Sequence, residues 1–415
     1  MQILIIAGGE GKRMKPLTTH KSLYQFLGKP LVAHLFPHLK FKENTIFIVT
    51  SPSSLPEFQE SLKGYDVHYG VQPEPNGMAG ALIAAESILD LSSPLLIVSA
   101  AKLQESSAYS TMLSEIKKNP NKALLAVREV NQYKDGGYLQ LDGDKVVAII
   151  EKPGAEHMPS HYYKLILDYF PKAGEFIEYL KSAKTAKDDV YEVGLSKYLK
   201  DIGAGKIVVG GDHVSIKHGY NILDVSKMAL SNLLKPGVAK SAIIARSASV
   251  DANVMVDEGA KIFENAVIKG PCYIGRNVIV GNGALIRESC IEEGSQVGYG
   301  SEVARSYLGP GTKGHMMYIG DSIIEGNVNL SAGTVLANYR FDHAEVIAHM
   351  PSGDVQTGRK KFGSIIAQNT ITGVNTSIMP GTVIGSHVVI GSGCTVKGFV
   401  PDNTIIKSNF SKYEK

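Results

Sequence analysis

A glycine-rich loop near the start of the chain carries the first residues whose types and spacing suit chemistry. Residues suited to phosphate binding lie within fourteen positions: Gly8, Gly9, Gly11, Lys12, Arg13 and Lys21. Because glycine has no Cβ, backbone N–H groups in such a loop can approach phosphate oxygens closely. Cations on the same loop can neutralise a triphosphate or a pyrophosphate. The pattern therefore predicts a phosphate-binding loop directly after a first strand.

The complete string at residues 7–21 resembles the signature of the sugar-1-phosphate nucleotidyltransferases. In that family the glycine loop, an Arg and a downstream Lys hold the nucleoside triphosphate. The resemblance implies that Arg13 binds phosphate and that Lys21 belongs to the catalytic set. Two positions depart from the family, since Lys12 stands where it usually has Thr and His20 where it usually has Pro. The phosphate cradle is therefore expected in a modified form.

Further motifs of the same family lie along the first half of the chain. Gln72 matches the residue that recognises the base, and Gly77 matches the glycine beside it, while Met78 replaces a Thr. Gly137 and Glu151 match motifs on the sugar side. The resemblance thus implies substrate contacts by Gln72, Gly77, Gly137 and Glu151.

The acidic positions of this family are altered in the chain. Nucleotidyl transfer uses a hard cation such as Mg²⁺, which bridges phosphate oxygens and takes carboxylate ligands. Ala101 stands where the family has one Asp, and Ser215 aligns with the second, with Asp212 and Asp224 close by in the sequence. We assign no metal ligand, leave the need for Mg²⁺ open, and predict a first domain that transfers nucleotides poorly or not at all but can still bind phosphates.

A second group of residues with chemical potential begins at His315. The string Gly-His-x-x-Tyr-x-Gly-Asp at 314–321 is followed by Asn-Val-Asn-Leu-x-Ala-Gly-Thr at 327–334 and then by Asn338 and Tyr339. These strings resemble the bifunctional N-acetylglucosamine-1-phosphate uridylyltransferase and glucosamine-1-phosphate N-acetyltransferase family, its archaeal branch most closely. That family acetylates glucosamine-1-phosphate from acetyl-CoA on a left-handed β-helix and uridylates the product in its first domain.

The resemblance implies a role for each residue of this second group. His315 is expected to be the base, and histidine suits that role because attack on a thioester needs a neutral amine and a base that titrates near working pH. Substrate contacts are assigned to Arg287, Arg305, Tyr318, Asn338 and Tyr339, and the acetyl-CoA site to the backbone at Ala332 and the coil near Ser392. Where the family often has a Lys the chain has Ala344, and both His343 and Lys360 are candidates to replace it.

The element that must position these residues is a repeat with a period of six. Apolar residues return at 250, 256, 262, 268, 274, 280 and 286, and the spacing resumes after two slips of one residue. Neither a helix nor an alternating strand has this period. A parallel β-helix of hexapeptide rungs does, and the many rungs in phase disfavour a sandwich of short strands. Phase breaks at 302–317 and 336–363 predict loops that leave the coils.

The first half of the chain must position the glycine loop. Strand-like apolar runs at 45–50, 67–71 and 94–98 alternate with helix-like segments. This alternation predicts a doubly wound, Rossmann-like parallel α/β sheet with ligands at the carboxyl ends of its strands. We therefore predict a nucleotidyltransferase-like domain at residues 1–235 and a left-handed β-helix acetyltransferase domain at 236–415, the hand of the helix being implied by the resemblance.

Composition narrows the class of protein further. A chain of 415 residues suits two domains, and a net charge of +3 argues neither for nor against nucleic acid. The start of the chain lacks the basic region and cleavage site of a signal peptide, so a cytoplasmic location is the expectation. Cys272, Cys290 and Cys394 lack the spacing of metal ligands and are expected to be reduced core residues.

Three functional hypotheses remain open from the sequence. The leading one is a sugar-phosphate N-acetyltransferase fused to a domain that makes or binds a nucleotide sugar such as UDP-N-acetylglucosamine. The alternatives are a non-catalytic subunit that senses a sugar nucleotide, and a nucleotidyltransferase of other specificity with a structural β-helix. The expected partners are a sugar phosphate and a nucleotide, without nucleic acid or membrane. A homotrimer is expected because the family's acetyltransferase sites form between neighbouring prisms.

Overall fold

The computed structural model describes residues 1–40, 43–187 and 189–408. Two compact units make up the chain: the first comprises residues 1–10 and 30–213, and the second comprises 11–29 and 214–415. This division differs from the predicted boundary at residue 235. The loop segment 11–29 belongs to the second unit because its backbone amides hydrogen-bond to glutamates of the coils, such as the amide of Thr18 to Glu325.

The first unit is built on a mixed β-sheet flanked by helices. Its strands, labelled in chain order, are β1 (Gln2–Ile6), β2 (Thr45–Thr50), β3 (Val67–Val71), β4 (Leu95–Ser99), β5 (Lys102–Gln104), β6 (Leu124–Glu129), β7 (Gly137–Asp142), β8 (Lys145–Glu151), β9 (Tyr162–Phe170) and β10 (Gly205–Val208). Its helices are α1 (Leu55–Ser61), α2 (Gly77–Ala85), α3 (Ser106–Lys118), α4 (Ala173–Ser182) and α5 (Val190–Asp201). Short 3₁₀ helices cover Leu31–Leu35 and Ala155–His157.

The strand order of the main sheet is β8-β7-β9-β4-β1-β2-β3, with β6 pairing to β9 and to β10. Strands β1, β2, β3 and β4 are mutually parallel, which confirms the predicted strands at 45–50, 67–71 and 94–98. Strand β9 runs antiparallel to β4, so the sheet is mixed and not parallel throughout. Strands β7 and β8 pair antiparallel across a two-residue turn at Gly143, whose φ of 56° suits glycine.

The second unit is a parallel β-helix made of three sheets. The strands of the first sheet are Gly237–Val238, Val254–Val256, Cys272–Ile274, Cys290–Ile291, Tyr307–Leu308, Ile323–Ile324, Ile365–Ile366, Val383–Ile384 and Phe399–Val400. Those of the second are Ile243–Ile244, Lys261–Ile262, Ile279–Val280, Gln296–Val297, Lys313–Gly314, Asn329–Leu330, Ile371–Thr372, Val389–Ile390 and Ile405–Ile406. Those of the third are Ser249–Val250, Val267–Lys269, Leu285–Arg287, Glu302–Ala304, Tyr318–Gly320, Val335–Leu336, Ser377–Ile378 and Thr395–Val396.

The apolar repeat forms the core of these coils, as predicted. Ile262 pairs with Val280 and Ile268 with Ile286, one coil later in each case. These residues and their equivalents along the prism are buried in one continuous cluster. Parallel pairing in register stacks each inward side chain on the equivalent one of the next coil, which buries a continuous apolar column.

The two phase breaks have different structural causes. The break at 302–317 is not a loop, and that prediction was wrong: Gly314 takes the inward position of its rung, and a Cβ there would lie only 2.1 Å from Sδ of Met317. Met317 therefore fills the space that an aliphatic residue fills elsewhere. The second break is a true excursion, since the chain leaves after Leu336, forms the antiparallel hairpin Ile347–Met350 and Gly353–Gln356, and returns at Ile365.

The remaining elements are short. They comprise helix α6 (Ile222–Asn232), the 3₁₀ turns Lys12–Met14 and Gly219–Asn221, and the strands Gln25–Phe26, Lys29–Pro30 and His213–Ser215. Cys272, Cys290 and Cys394 carry free thiols, the first two fully buried and the third half-buried against the core. Within the described ranges, every helix is too short or too polar to cross a membrane.

Candidate functional site

The third sheet of the prism brings the predicted substrate residues of the β-helix together. Arg287 ends the strand Leu285–Arg287, and its guanidinium pairs with Glu302 on the next strand. Glu302 is in register with Tyr318, and Tyr318 is in register with Val335. Asn338 is the second residue after the strand Val335–Leu336. Parallel strands in register place these side chains on neighbouring coils of one sheet.

Asp321 is the centre of this group, although it was not predicted as a site residue. Its two carboxylate oxygens accept hydrogen bonds from Nε and Nη2 of Arg305 at 2.7 and 2.8 Å. Nδ2 of Asn338 donates to the same carboxylate at 2.5 Å, and the hydroxyl of Tyr318 lies 3.5 Å from Oδ1 of Asn338. Hydrogen bonding to Asp321 raises the pKa of Arg305. The carboxylate thus orients a guanidinium and an amide toward the same face.

His315 lies in the turn between the second and third sheets, three residues before Tyr318, and its side chain is exposed. This turn packs closely on Gly298 of the coil below, because a Cβ on Gly298 would lie 3.0 Å from Cα of His315. The backbone N–H of His315 donates to the carbonyl of Leu330 in the coil above at 3.2 Å. His315 is therefore accessible at the edge of the sheet that carries the Asp321 group.

Ala332 and Ser392 occupy the same corner of the prism as His315. The N–H of Gly333 bonds to the carbonyl of Met316, and the carbonyl of Ala332 accepts from Asn375 at 2.9 Å. A Cβ on Gly373 would lie 2.7 Å from Cα of Ser392, which places Ser392 one coil beyond that turn. The corner thus forms a column along which an extended acyl donor can lie.

Tyr339 and His343 lie on the excursion. The hydroxyl of Tyr339 is 2.9 Å from Nδ1 of His343. The backbone of Tyr339 forms an isolated antiparallel β-bridge with Lys361. The N–H of Ala344 donates to Asp342 at 3.2 Å. Lys360 is exposed. Of the two candidates to replace the family Lys, His343 is the one held by a residue assigned to substrate binding.

In the first unit, Gly8 lies against Gln72. A Cβ on Gly8 would lie 2.0 Å from Oε1 of Gln72, so only glycine leaves room for this buried side chain. Nε2 of Gln72 donates to Oδ1 of Asn76 at 2.7 Å and to the carbonyl of Gly77 at 3.0 Å. Gly9 follows and is exposed. The start of the glycine loop and the base-side motif are thus neighbours.

A cavity of about 210 Å³ in this unit joins the base-side and sugar-side motifs, because Gly77, Glu151 and Glu192 all line it. Gly137 pairs with Glu151 across β7 and β8, and a Cβ there would lie 3.3 Å from Oε2 of Glu151. Burial raises the pKa of Glu192 to about 7, and the charge of Glu151 adds to this. Sequence reasoning missed Glu192, which lies on α5, far from any quoted motif.

The cations of the glycine loop lie in the second unit. Gly11 adopts φ 63° and precedes the 3₁₀ turn that carries Arg13. Burial, together with the positive charge of Arg13, lowers the pKa of Lys21. The pKa of His218 is lowered by burial and then by Arg13. Arg13, Lys21 and His218 therefore lie close enough to repel one another electrostatically, which favours an anion among them.

The two altered acidic positions offer little to a metal ion. Ala101 is the second residue after β4 and its buried methyl group has no oxygen donor, while Ser215 ends a short strand and offers a neutral hydroxyl. In the part of the chain that the structure describes, no three His, Cys, Asp or Glu side chains are grouped as a metal site would require. Ala101 and Ser215 do not match the carboxylate set that Mg²⁺ prefers.

Two family descriptions match separate parts of the chain. The family described as "Nucleotidyl transferase" matches residues 2–204, which lie almost wholly in the first unit. The family described as "GMPPB C-terminal domain" matches residues 250–350, within the coils and the start of the excursion. Both halves of the chain therefore have recognised relatives.

Curated relatives match along nearly the whole chain. A protein of Sulfurisphaera tokodaii, named bifunctional sugar-1-phosphate nucleotidylyltransferase/acetyltransferase, is 30% identical over 413 residues, covering 95% of this chain and 97% of its own length. The bifunctional protein GlmU of Methanococcus maripaludis is 28% identical over 419 residues, covering 98% of this chain and 97% of its own. That of Methanocaldococcus jannaschii is 28% identical over 413 residues with the same coverages. The chain belongs to the family of bifunctional sugar-1-phosphate nucleotidylyltransferases and acetyltransferases.

Proposed function

We propose that this protein transfers the acetyl group of acetyl-CoA to the amine of glucosamine-1-phosphate on the third sheet of its β-helix. The observation that carries the proposal is the Arg305–Asp321–Asn338 group on the third sheet, together with the exposed His315 in the turn that leads into the strand before Asp321. A guanidinium has five N–H donors and Asp321 engages two of them, so the remaining donors are free for a sugar phosphate. Arg287 lies on a neighbouring coil and adds a second cation for the same phosphate.

The chemistry assigns one role to each side chain. His315 accepts a proton as the amine attacks the thioester carbonyl and a C–N bond forms. The C–S bond then breaks, and the proton held by His315 passes to the departing thiolate, so that CoA leaves as the thiol and the base is regenerated. Asn338 and Tyr318 offer hydrogen bonds to the sugar, and Tyr339 contacts it from the excursion. The corner at Ala332 and Ser392 receives acetyl-CoA. Ionised groups held by partners before the substrate arrives need little reorganisation during the reaction.

The test is incubation of the pure protein with acetyl-CoA and glucosamine-1-phosphate while free CoA thiol is measured. Thiol release that requires both substrates is expected. Galactosamine-1-phosphate and free glucosamine serve as comparison acceptors, because the phosphate contact predicts that free glucosamine reacts far more slowly. Equal rates with free glucosamine would contradict the assigned phosphate site.

For the first domain we propose a module that binds phosphates and a nucleotide sugar but transfers nucleotides poorly. Gln72, Gly77, Gly137 and Glu151 support binding of base and sugar, and Gly8, Gly9, Gly11, Arg13 and Lys21 support binding of phosphate. The neutral residues at 101 and 215 support weak turnover, with any need for Mg²⁺ to be measured. The competing hypothesis is a sugar-nucleotide sensor, and binding of UDP-N-acetylglucosamine that changes the acetylation rate would favour it.

We also propose that three copies assemble through the β-helix. Phe341 on the excursion is 97% exposed, and Ile371, Val389 and Ile405 form an apolar strip on adjacent strands of the second sheet. Apolar patches of this kind favour burial against another copy, and closed symmetry satisfies every such surface. Light scattering is expected to give the mass of a trimer, and a monomer at micromolar concentration would contradict the proposal. The substrates acetyl-CoA and nucleoside triphosphate support a cytoplasmic location.

A further inference from the structure

Two buried glutamates of the coils fix the loop segment, residues 11–29, which carries Arg13 and Lys21. Glu292 is fully buried, and its Oε1 and Oε2 accept hydrogen bonds from the backbone N–H groups of Leu27 and Gly28, each at 3.0 Å. The two donors belong to consecutive residues and converge on one side chain. Glu292 therefore fixes the backbone at the end of the loop segment.

The turn that Glu292 holds has an unusual conformation. Leu27 and Gly28 have φ values of 53° and 73°, and the left-handed region is unfavourable for leucine. A Cβ on Gly28 would lie 2.5 Å from Oη of Tyr273, so the turn also approaches the coil closely. A strained turn persists only when its surroundings determine it, and here the coil supplies both the hydrogen bonds and the close contact.

Glu325 holds the middle of the loop segment in the same way. Its Oε1 accepts hydrogen bonds from the N–H groups of Thr18 and Thr19, both at 2.7 Å, and from the hydroxyl of Tyr24 at 2.9 Å. Its Oε2 accepts from the N–H of Gln368 at 3.1 Å, and Nε2 of Gln368 donates to Oγ1 of Thr19 at 3.0 Å. In the sequence, Lys21 lies between Thr19 and Tyr24, both of which donate hydrogen bonds to Glu325.

The coils themselves do not require glutamate at these places. Glu292 and Glu325 occupy equivalent corner positions, directly after the inward residues Ile291 and Ile324 of the first sheet. Small residues take the equivalent corner in other coils: Gly275, Gly309, Ala367 and Gly385. Burying a carboxyl group is costly unless it is well hydrogen-bonded. The bonds that satisfy both glutamates come mainly from the loop segment, which indicates that their role concerns that segment.

We propose that Glu292 and Glu325 are positioning residues for phosphate binding, through which the β-helix holds Arg13 and Lys21 ready for a nucleotide. The proposal rests on the proposed binding of phosphate by the glycine loop. It makes phosphate binding by Arg13 and Lys21, which the sequence predicts to belong to the first domain, dependent on two side chains of the coils. The repulsion between Arg13 and Lys21 gives the anchors a physical purpose, since cations that repel one another must be held together before the anion arrives.

The test compares Glu325→Ala and Glu292→Ala with wild type in the full-length protein. Alanine suits this corner, because Ala367 occupies the position equivalent to Glu325 in the next coil. Binding of UTP is measured by calorimetry, and thermal melting reports folding. The Kd for UTP is expected to rise about tenfold or more with either variant, because each variant removes two or more hydrogen bonds that fix the loop segment. Glu293→Ala, an exposed neighbour, is the matched control and should bind as wild type does.

A double-mutant cycle separates positioning from general loosening. In an Arg13→Ala background, Glu325→Ala should weaken UTP binding much less than it does alone, because both changes disturb the same interaction. Acetyl transfer to glucosamine-1-phosphate should stay unchanged. Should an alanine variant fold poorly, Gln368→Ala removes one outer hydrogen bond and should raise Kd about threefold.

The outcomes are distinguishable. Wild type that does not bind UTP would overturn phosphate binding by the loop, and the positioning role with it. Wild type that binds UTP while well-folded glutamate variants bind equally tightly would overturn the positioning role alone. Fully additive effects in the cycle would likewise show that the glutamates do not act through Arg13.

Discussion

In the β-helix the charged side chains of the candidate site are paired with one another across neighbouring coils, whereas in the first unit the strand end that should carry a carboxylate carries Ala101. Arg305 is held by Asp321, and Asp321 also receives Asn338. In the sheet of the first unit, by contrast, Gly8 makes room for Gln72, although position 101 carries no acidic side chain. Two of the predicted substrate residues of the coils are thus hydrogen-bonded to one shared carboxylate, while the first unit keeps the contact of Gly8 with Gln72 and has no acidic side chain at position 101.

The difference reflects how each scaffold presents residues. A coil places equivalent positions on neighbouring rungs in register, so one carboxylate can serve residues from two adjacent coils. In an α/β sheet, the ligands converge from separate loops at the strand ends. A neutral residue there, such as Ala101, supplies no oxygen ligand while leaving the sheet intact. The comparison predicts large losses from changes in the coils and possible gains from changes in the first unit.

The largest expected effect is that of His315→Ala on acetyl transfer. Removal of the general base should lower kcat by roughly 10²-fold or more, because the amine must then lose its proton to water. The affinity for acetyl-CoA should change little, since the base acts on the amine. Steady-state kinetics with thiol detection measures both, and His387→Ala, an exposed histidine in another coil turn, is the control. A fully active His315→Ala protein would remove the assignment.

The next effect concerns the group around Asp321. Asp321→Asn replaces the carboxylate that holds Arg305 with a neutral amide, so the guanidinium should lose its fixed orientation. We expect the KM for glucosamine-1-phosphate to rise about tenfold, the scale of a lost charged hydrogen bond, with a smaller change in kcat. Asp251→Asn breaks a comparable ion pair with Lys269 lower on the coils and should change neither constant. An unchanged KM for Asp321→Asn would show that Arg305 needs no orienting partner.

The sequence predicts the inward residues of the coils better than it predicts contacts between distant parts of the chain. The six-residue period located the inward column because every rung obeys the same rule. It failed at Gly314, where Met317 supplies the missing volume from a position outside the repeat. The Asp321 group was within reach, since Asp321 stands in the quoted string at 314–321. The hydrogen bond from Thr18 to Glu325 was not, because it joins residues 307 positions apart and neither residue stands out locally.

In the first unit, introducing carboxylates at positions 101 and 215 is expected to increase nucleotidyl transfer. Attack of a sugar phosphate on a nucleoside triphosphate brings two anions together, and a metal ion held by carboxylates screens that charge. Wild type should release pyrophosphate slowly, and Ala101→Asp with Ser215→Asp should raise Mg²⁺-dependent release by about tenfold if the rest of the site is retained. The matched control is Ala101→Asn with Ser215→Asn, which has similar shape without charge. Rapid Mg²⁺-dependent turnover by the wild type would show that other carboxylates hold the metal.

The smallest expected effect is on stability, and it tests the environment of Glu292. Burial raises the pKa of Glu292 to about 8, and the charges of Asp257 and Glu293 add to this, against the opposing hydrogen bonds from Gly28 and Leu27. The folded protein therefore keeps a proton that the unfolded chain releases near pH 4.3. The resulting stabilisation is complete below about pH 4, declines as the pH rises, and is lost once the pH passes the folded pKa of about 8.

Glu292→Gln removes this titration while keeping the shape of the side chain. Between pH 5 and pH 8, the Tm of the wild type should fall by several degrees more than the Tm of the variant. Each pH unit over which only the folded protein holds the proton costs about 1.4 kcal/mol, and about 1 kcal/mol shifts the Tm of a domain of this size by roughly 2–4 °C. Thermal melting at matched ionic strength measures the difference. Comparison with Glu345→Gln corrects for general effects of pH, because Glu345 is exposed on the excursion and is not among the charges that act on Glu292. Parallel Tm curves for wild type and Glu292→Gln would mean that Glu292 is already ionised in the folded protein, held as a carboxylate by the amides of Leu27 and Gly28.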